Sequence, residues 1–221
     1  MSMKKIIIAN ALTVTLLAGA GGLGYYFVNE TTNYIKTDNA KVDATQYTIT
    51  SPATGKLVNW FGKEGKEFEK DGVIGKVKVA SPTATDPEHT NLVNIEVPQD
   101  STVVLSKSLT NTVVAPGAPL AYTYDLENPW ITANIKETDI DDVKVGQEVD
   151  VHVDAYKDVK FKGEVTSVGH ATASSFSLIS QSNGNANYTK VTQVVPVKIS
   201  IEGVQGYDIL PGMNATVRIH K

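Results

Sequence analysis

Cysteine is missing from all 221 residues. Its absence excludes disulfides, thiolate metal sites, cysteine nucleophiles and lipid attachment through sulfur. Arginine is nearly missing too: Arg218 is the only one. A chain with a single guanidinium has no set of bidentate clamps for phosphate or carboxylate. There is no excess of positive charge either. The formal net charge is −4, and Lys4 and Lys5 are the only charged side chains before residue 30. The other 18 of the 20 Lys+Arg therefore face all 24 Asp+Glu in the remainder, so the basic stripe that a nucleic-acid binder needs is not there. Beyond Val28 no long apolar run or helical periodicity occurs, which predicts a mainly β protein. Phosphate-cradling glycine loops, dinucleotide fingerprints and nucleophile elbows are all missing. His89, His152, His170 and His220 lack the spacing of converging zinc ligands. Asp139, Asp141 and Asp142 open like a calcium loop, but the required glycine and closing glutamate do not follow. These absences predict no enzyme, no cofactor and no metal site.

What is present begins with an apolar segment. Ile6 to Val28 carries no charge, follows Lys4-Lys5 and precedes Asn29-Glu30. As a helix it would extend about 34 Å, against a hydrocarbon core of about 30 Å. The expectation is a transmembrane helix over 6–28 behind a cytoplasmic tail, 1–5, with the rest of the chain outside the cell membrane. A cleaved signal peptide, with Ile6–Leu17 as its apolar region and Ala18-Gly19-Ala20 as its site, competes with it. The apolar character running on to Val28 favours the uncleaved anchor. Ala18, Ala20, Gly22 and Gly24 form two small-xxx-small pairs at which another helix could approach closely.

A short module is written twice. Ser51-Pro52-Ala53-Thr54-Gly55 opens one copy and Val97-Pro98-Gln99-Asp100-Ser101 the other. At a shift of 46 residues Pro52 meets Pro98, Val58 meets Val104, Gly65 meets Asn111, Phe68 meets Val114 and Ile74 meets Leu120. Each copy reads as proline turn, apolar strand, polar turn and second strand, as two halves of one small sandwich would. The halves are 47–79 and 92–125, and the polar stretch 80–91, with two prolines, is the linker between them. From Trp130 short alternating strands begin, among them Gln147–Val153 and Phe161–Val168, with Glu137–Val143 as a helical turn. They predict a small β-barrel over 128–221. Residues 30–46 form a connecting strand able to join that barrel. The Ser-, Asn- and Gly-rich stretch 172–187 is a long loop.

Several of these stretches resemble one family. Tyr34-Ile35-Lys36-Thr37-Asp38-Asn39-Ala40-Lys41-Val42, Ser51-Pro52-Ala53-Thr54-Gly55, Ala115-Pro116-Gly117-Ala118-Pro119-Leu120, Trp130 to Thr138, Val145 to Val149, Phe176 to Ile179, Asn187-Tyr188, Val191, Gln193, Val195-Pro196-Val197 and Leu210-Pro211-Gly212-Met213 are similar to segments of HlyD/EmrA-type membrane fusion proteins. These are adaptor subunits of bacterial efflux and secretion pumps. The resemblance implies a split lipoyl-like domain, or barrel-sandwich hybrid, followed by an adaptor β-barrel. It implies a non-catalytic role in multidrug efflux or secretion beside an integral-membrane exporter, commonly of the major facilitator type, and leaves homo-oligomer formation open. Contact candidates are Phe176, Leu178, Asn187 and Tyr188. A lipoyl or biotin carrier is set aside, because Lys78 lacks the hairpin such carriers place around their lysine. Relatives commonly insert a long coiled-coil hairpin between the halves, whereas 80–91 has no room for one, so no contact with an outer-membrane channel is expected. The competing function is a cell-surface binding or envelope-stress module that reuses the same fold.

Overall fold

The computed structural model describes residues 3–79, 91–176 and 192–221. It opens with helix α1, Met3–Asn33, which at 1.5 Å per residue is about 46 Å long. The side chains of 4–12, 23 and 27–31 lie outside the described residues. Among the described residues no helix is long and apolar enough to cross a membrane. Among the described residues, the chain after α1 forms strands, two short 3-10 helices and the turns and loops between them. The strands are β1 (Tyr34–Asp43), β2 (Gln46–Thr50), β3 (Gly55–Trp60), β4 (Glu67–Phe68), β5 (Val73–Val79), β6 (Asn91–Glu96), β7 (Ser101–Ser106), β8 (Val113–Val114), β9 (Pro119–Tyr124), β10 (Trp130–Lys136), β11 (Glu148–Val153), β12 (Phe161–Val168), β13 (Val194–Ser200) and β14 (Asn214–His220). The chain divides into two compact units: Met1–Lys41 with Ile131–Gly206 and Met213–Lys221, and Val42–Trp130 with Tyr207–Gly212.

The second unit is a sandwich of two four-stranded sheets, ordered β2-β9-β7-β4 and β6-β5-β3-β8. The doubled module explains that order. Moving β3 and β4 by 46 residues gives the bounds of β7 and β8, and the same shift carries β2 and β5 onto β6 and β9 to within a residue. Exchanging partners converts one sheet order into the other. The backbone bonds obey the same rule. Gly65 N–H donates to Val103 O at 2.8 Å and Asn111 N–H to Leu57 O at 2.7 Å. Asp71 N–H donates to Val97 O and Gly117 N–H to Ser51 O, each at 2.8 Å. Even the bulges repeat, between Leu57 and Asn59 against β5 and between Val103 and Leu105 against β9. Trp60 Nε1 donates to Ser106 Oγ at 2.9 Å, so this bond joins equivalent positions of the two halves. The core is paired likewise: Ile49 with Ile95, Leu57 with Val103, and Ile74 with Leu120, all buried.

Where the halves differ, the differences compensate. Ser101 Oγ donates to Thr123 Oγ1 at 3.0 Å inside the sandwich. The equivalent positions are Gly55 and Val77. A Cβ on Gly55 would stand 2.3 Å from Lys78 O and 2.6 Å from Val77 Cγ1, so the larger Val77 is tolerated only beside glycine. Two turn positions have positive φ in both halves: Gly65 at 79° with Asn111 at 75°, and Asp71 at 62° with Gly117 at 76°. One member of each pair is glycine, the residue that takes this conformation without a Cβ penalty. Asp71→Gly and Asn111→Gly are therefore expected to stabilise the sandwich by about 0.5 kcal/mol each, the relief of φ strain outweighing the added chain entropy. Chemical denaturation of the full chain checks this through the midpoint at constant slope.

The first unit contains a closed barrel of six strands, ordered β1-β10-β13-β12-β11-β14. Closure leaves no sheet edge unpaired. Ile131, Ile135, Val149, Val151, Val217 and Ile219 are among the fully buried side chains of its strands. β1 enters the barrel by pairing antiparallel with β14, Tyr34 opposite His220 and Lys36 opposite Arg218. A bulge follows between Thr37 and Ala40. Side chains stitch it down. Asn39 N–H and Asn134 O both bond Thr37 Oγ1, at 3.1 Å, and Asn134 Nδ2 donates to Asn39 Oδ1 at 3.0 Å. The Thr37-Asp38-Asn39 stretch thus forms the bulge that bends β1 onto β10. The turn anticipated at 137–143 is a 3-10 helix, Glu137–Asp142.

Candidate functional site

Of the residues singled out by sequence, the structure describes Ala18, Ala20, Gly22, Gly24 and Phe176. Ala18, Ala20, Gly22 and Gly24 are exposed on α1, and a Cβ built at Gly22 or Gly24 meets nothing within 4 Å. The stripe is open to a neighbouring helix. Phe176 ends the 3-10 turn Ala173–Phe176, whereas Leu178, Asn187 and Tyr188 lie outside the described residues. Ser174 Oγ holds that turn to the approach to β13 by donating to Gln193 Oε1 at 2.5 Å, and Ser175 N–H closes the turn onto Thr172 O at 3.0 Å. His152 and His170 are exposed, and His89 lies outside the described residues. Asp139, Asp141 and Asp142 sit on the 3-10 helix; no group of three metal-ligating side chains converges among the described residues.

The most organised polar cluster surrounds Asp150, on the barrel surface where α1 gives way to β1. β11 turns Val149, Val151 and Val153 into the barrel, so Asp150 belongs to the outer face; its side chain is nonetheless only 4% exposed. Two lysines and a histidine cover it. Lys162 Nζ donates to Oδ1 at 2.8 Å, Lys160 Nζ to Oδ2 at 2.9 Å, and His220 Nε2 lies 3.2 Å from Oδ2. Burial pushes the Asp150 carboxyl up, but the bonds from Lys162, Lys160 and His220 outweigh it and hold the group well below the usual carboxylate range. The same bond raises Lys162.

A ring cluster continues from there. The His220 ring meets Tyr34 edge to face, with centroids 4.9 Å apart and planes at 79°. The guanidinium carbon of Arg218 stacks 3.6 Å over the same tyrosine ring. Lys221 N–H donates to Asn33 O at 2.9 Å, and Lys221 Nζ donates to Asp142 Oδ2 at 2.7 Å. Tyr34, the first residue after α1, is thus held by two side chains of β14. Sequence reading missed this cluster. One signal was available: the hairpin turn at Tyr156-Lys157-Asp158 sets Asp150 opposite Lys162, which is the register observed. The contribution of Arg218 and His220 comes from a pairing across the barrel closure that no local pattern encodes.

Comparison with known proteins matches this architecture. A family model described as the YknX-like β-barrel domain matches residues 130–219. YhbJ of Bacillus subtilis (strain 168), named for an efflux system, is 43% identical over 219 residues, spanning 99% of this chain and 94% of that protein. The multidrug export protein EmrA of Escherichia coli (strain K12) is 34% identical over 110 residues, 48% of this chain but only 28% of EmrA. The solved structure of the periplasmic adaptor protein EmrA has the same fold, with a TM-score of 0.53 at 13% identity, over 86% of this chain and 99% of that one.

Proposed function

The chain belongs to the HlyD/EmrA-type membrane fusion adaptor family of efflux systems, and from that membership we propose that it is a non-catalytic adaptor assembling with an integral-membrane exporter. The end-to-end likeness to YhbJ carries this reading. In it α1 is a single-pass anchor with its N-terminus in the cytoplasm, and the barrel and sandwich stand outside the cell membrane. The sandwich is the lipoyl-like domain, its halves joined through 80–91. Ala18, Ala20, Gly22 and Gly24 pack against a helix of the exporter. The 172–187 loop, with Phe176, Leu178, Asn187 and Tyr188, contacts the exporter or a neighbouring adaptor. The exporter is of the major facilitator type, and what it moves includes drugs or secreted compounds. Only 80–90 joins β5 to β6, too short for coiled-coil heptads, so the assembly works without an outer-membrane channel.

Affinity purification of the full chain from detergent-solubilised membranes of its host tests the assembly. An exporter is expected to co-purify, and Gly22→Leu with Gly24→Leu should reduce its yield while leaving the chain folded. Recovery of the chain alone, with crosslinking before solubilisation, would argue against the reading.

A further inference from the structure

A buried carboxylate is weak evidence for stability, since desolvation offsets much of what its partners return. Asp150 carries that cost on the outside of a barrel whose interior is already filled by valine and isoleucine. Its partners show what it organises. Lys160 and Lys162 are 50% and 59% exposed and need no buried partner of their own. His220 is different: one side of its ring reaches Asp150 and the other bears on Tyr34. A carboxylate can only accept, so Nε2 donates, which fixes the ring's orientation and proton placement. An imidazole so oriented stands nearly perpendicular to the Tyr34 ring, while Arg218 from the same strand covers the tyrosine face. The adjoining backbone is joined too, through Lys221 N–H and Asn33 O.

We infer that Asp150 is a positioning residue for the junction between α1 and the barrel: through His220 it immobilises Tyr34 and so fixes the direction in which β1 leaves the helix. The chain's single arginine is spent at the same place. This inference rests on the adaptor reading, in which α1 moves with an exporter and the barrel must follow that movement without slack. The relay runs from β11 to β14 to β1, over strands whose registers place Asp150 beside Arg218 and His220 beside Tyr34.

Hydrogen exchange of the full chain in detergent micelles tests it, because exchange at the start of β1 needs no exporter. In Asp150→Asn the amides of residues 34–36 are expected to exchange about tenfold faster, while Val165 and Val197 in the barrel wall keep their protection. Lys162→Met, which removes one cation and leaves the His220 link, should leave residues 34–36 as in the parent. His220→Phe keeps a ring beside Tyr34 but loses the bond to Asp150. It should reproduce the local effect and serves where Asp150→Asn does not fold. Unchanged exchange at 34–36 in both Asp150→Asn and His220→Phe would overturn the inference. So would a uniform rise across the barrel, which would make Asp150 a general stabiliser. Either result leaves the adaptor reading standing, and failure of exporter co-purification leaves the exchange result standing.

Discussion

Gly163→Ala is expected to destabilise the barrel by about 3 kcal/mol, the upper end of what overpacking costs. Gly163 lies between the buried Phe161 and Val165 on β12, opposite Val149 of β11. A Cβ there would stand 2.0 Å from Ser200 O and 3.2 Å from Ile199 Cγ2. The first of these is backbone and cannot swing aside. Ser200 is also tied to β12 by its own side chain, which takes a bond from Glu164 N–H at 3.1 Å. Relief therefore requires β13 to move away from β12, which disturbs the ladder of Val165 with Ile199 and Val168 with Val197. The loss should be confined to the barrel, because the sandwich has a core of its own, built on Leu57, Ile74, Val103 and Leu120. Hydrogen exchange reads this directly: protection falls at Val165 and Val197 and persists at Leu57 and Val103. Tolerance of alanine at 163, with barrel protection unchanged, would contradict the close approach of the two strands.

The sandwich was legible in the sequence because each half was written out and then written again. A repeat supplies its own alignment, so Gly65 with Asn111 and Ile74 with Leu120 could be matched before any strand was drawn. The barrel was less legible. Alternation of Val149, Val151 and Val153 marks β11, and the Tyr156-Lys157-Asp158 turn marks its hairpin. The closing pairs of β14 with β1 and with β11 join residues far apart in the chain, where no pattern of either segment states the partner. The Asp150 cluster depends on that closure. The burial of Asp150 follows from His220 and two lysines converging on it, two of them from neighbouring β12 and its turn and one from β14. The small residues of α1 could be named from their spacing, but among the described residues nothing lies within 4 Å of a Cβ built at Gly22 or Gly24. Composition spoke most firmly where it excluded: one arginine, no cysteine and no basic excess removed whole classes of chemistry.

The second large effect concerns transport. An adaptor contributes no chemistry, so its loss removes an assembly rather than a reaction step, and the effect on export should be close to complete. Point changes that spare the fold should act in proportion to the contact they weaken: paired substitutions at Gly22 and Gly24 more than changes on the exposed barrel wall. Gly163→Ala, by loosening the barrel, should behave nearly as a deletion.

The most direct measurement is efflux from host cells lacking only this chain, with the co-encoded exporter still produced at its normal level. The account predicts that export of the exporter's substrate is lost and that the full chain, supplied separately, restores it. Undiminished export by every co-encoded exporter in the absence of the chain would contradict the central claim.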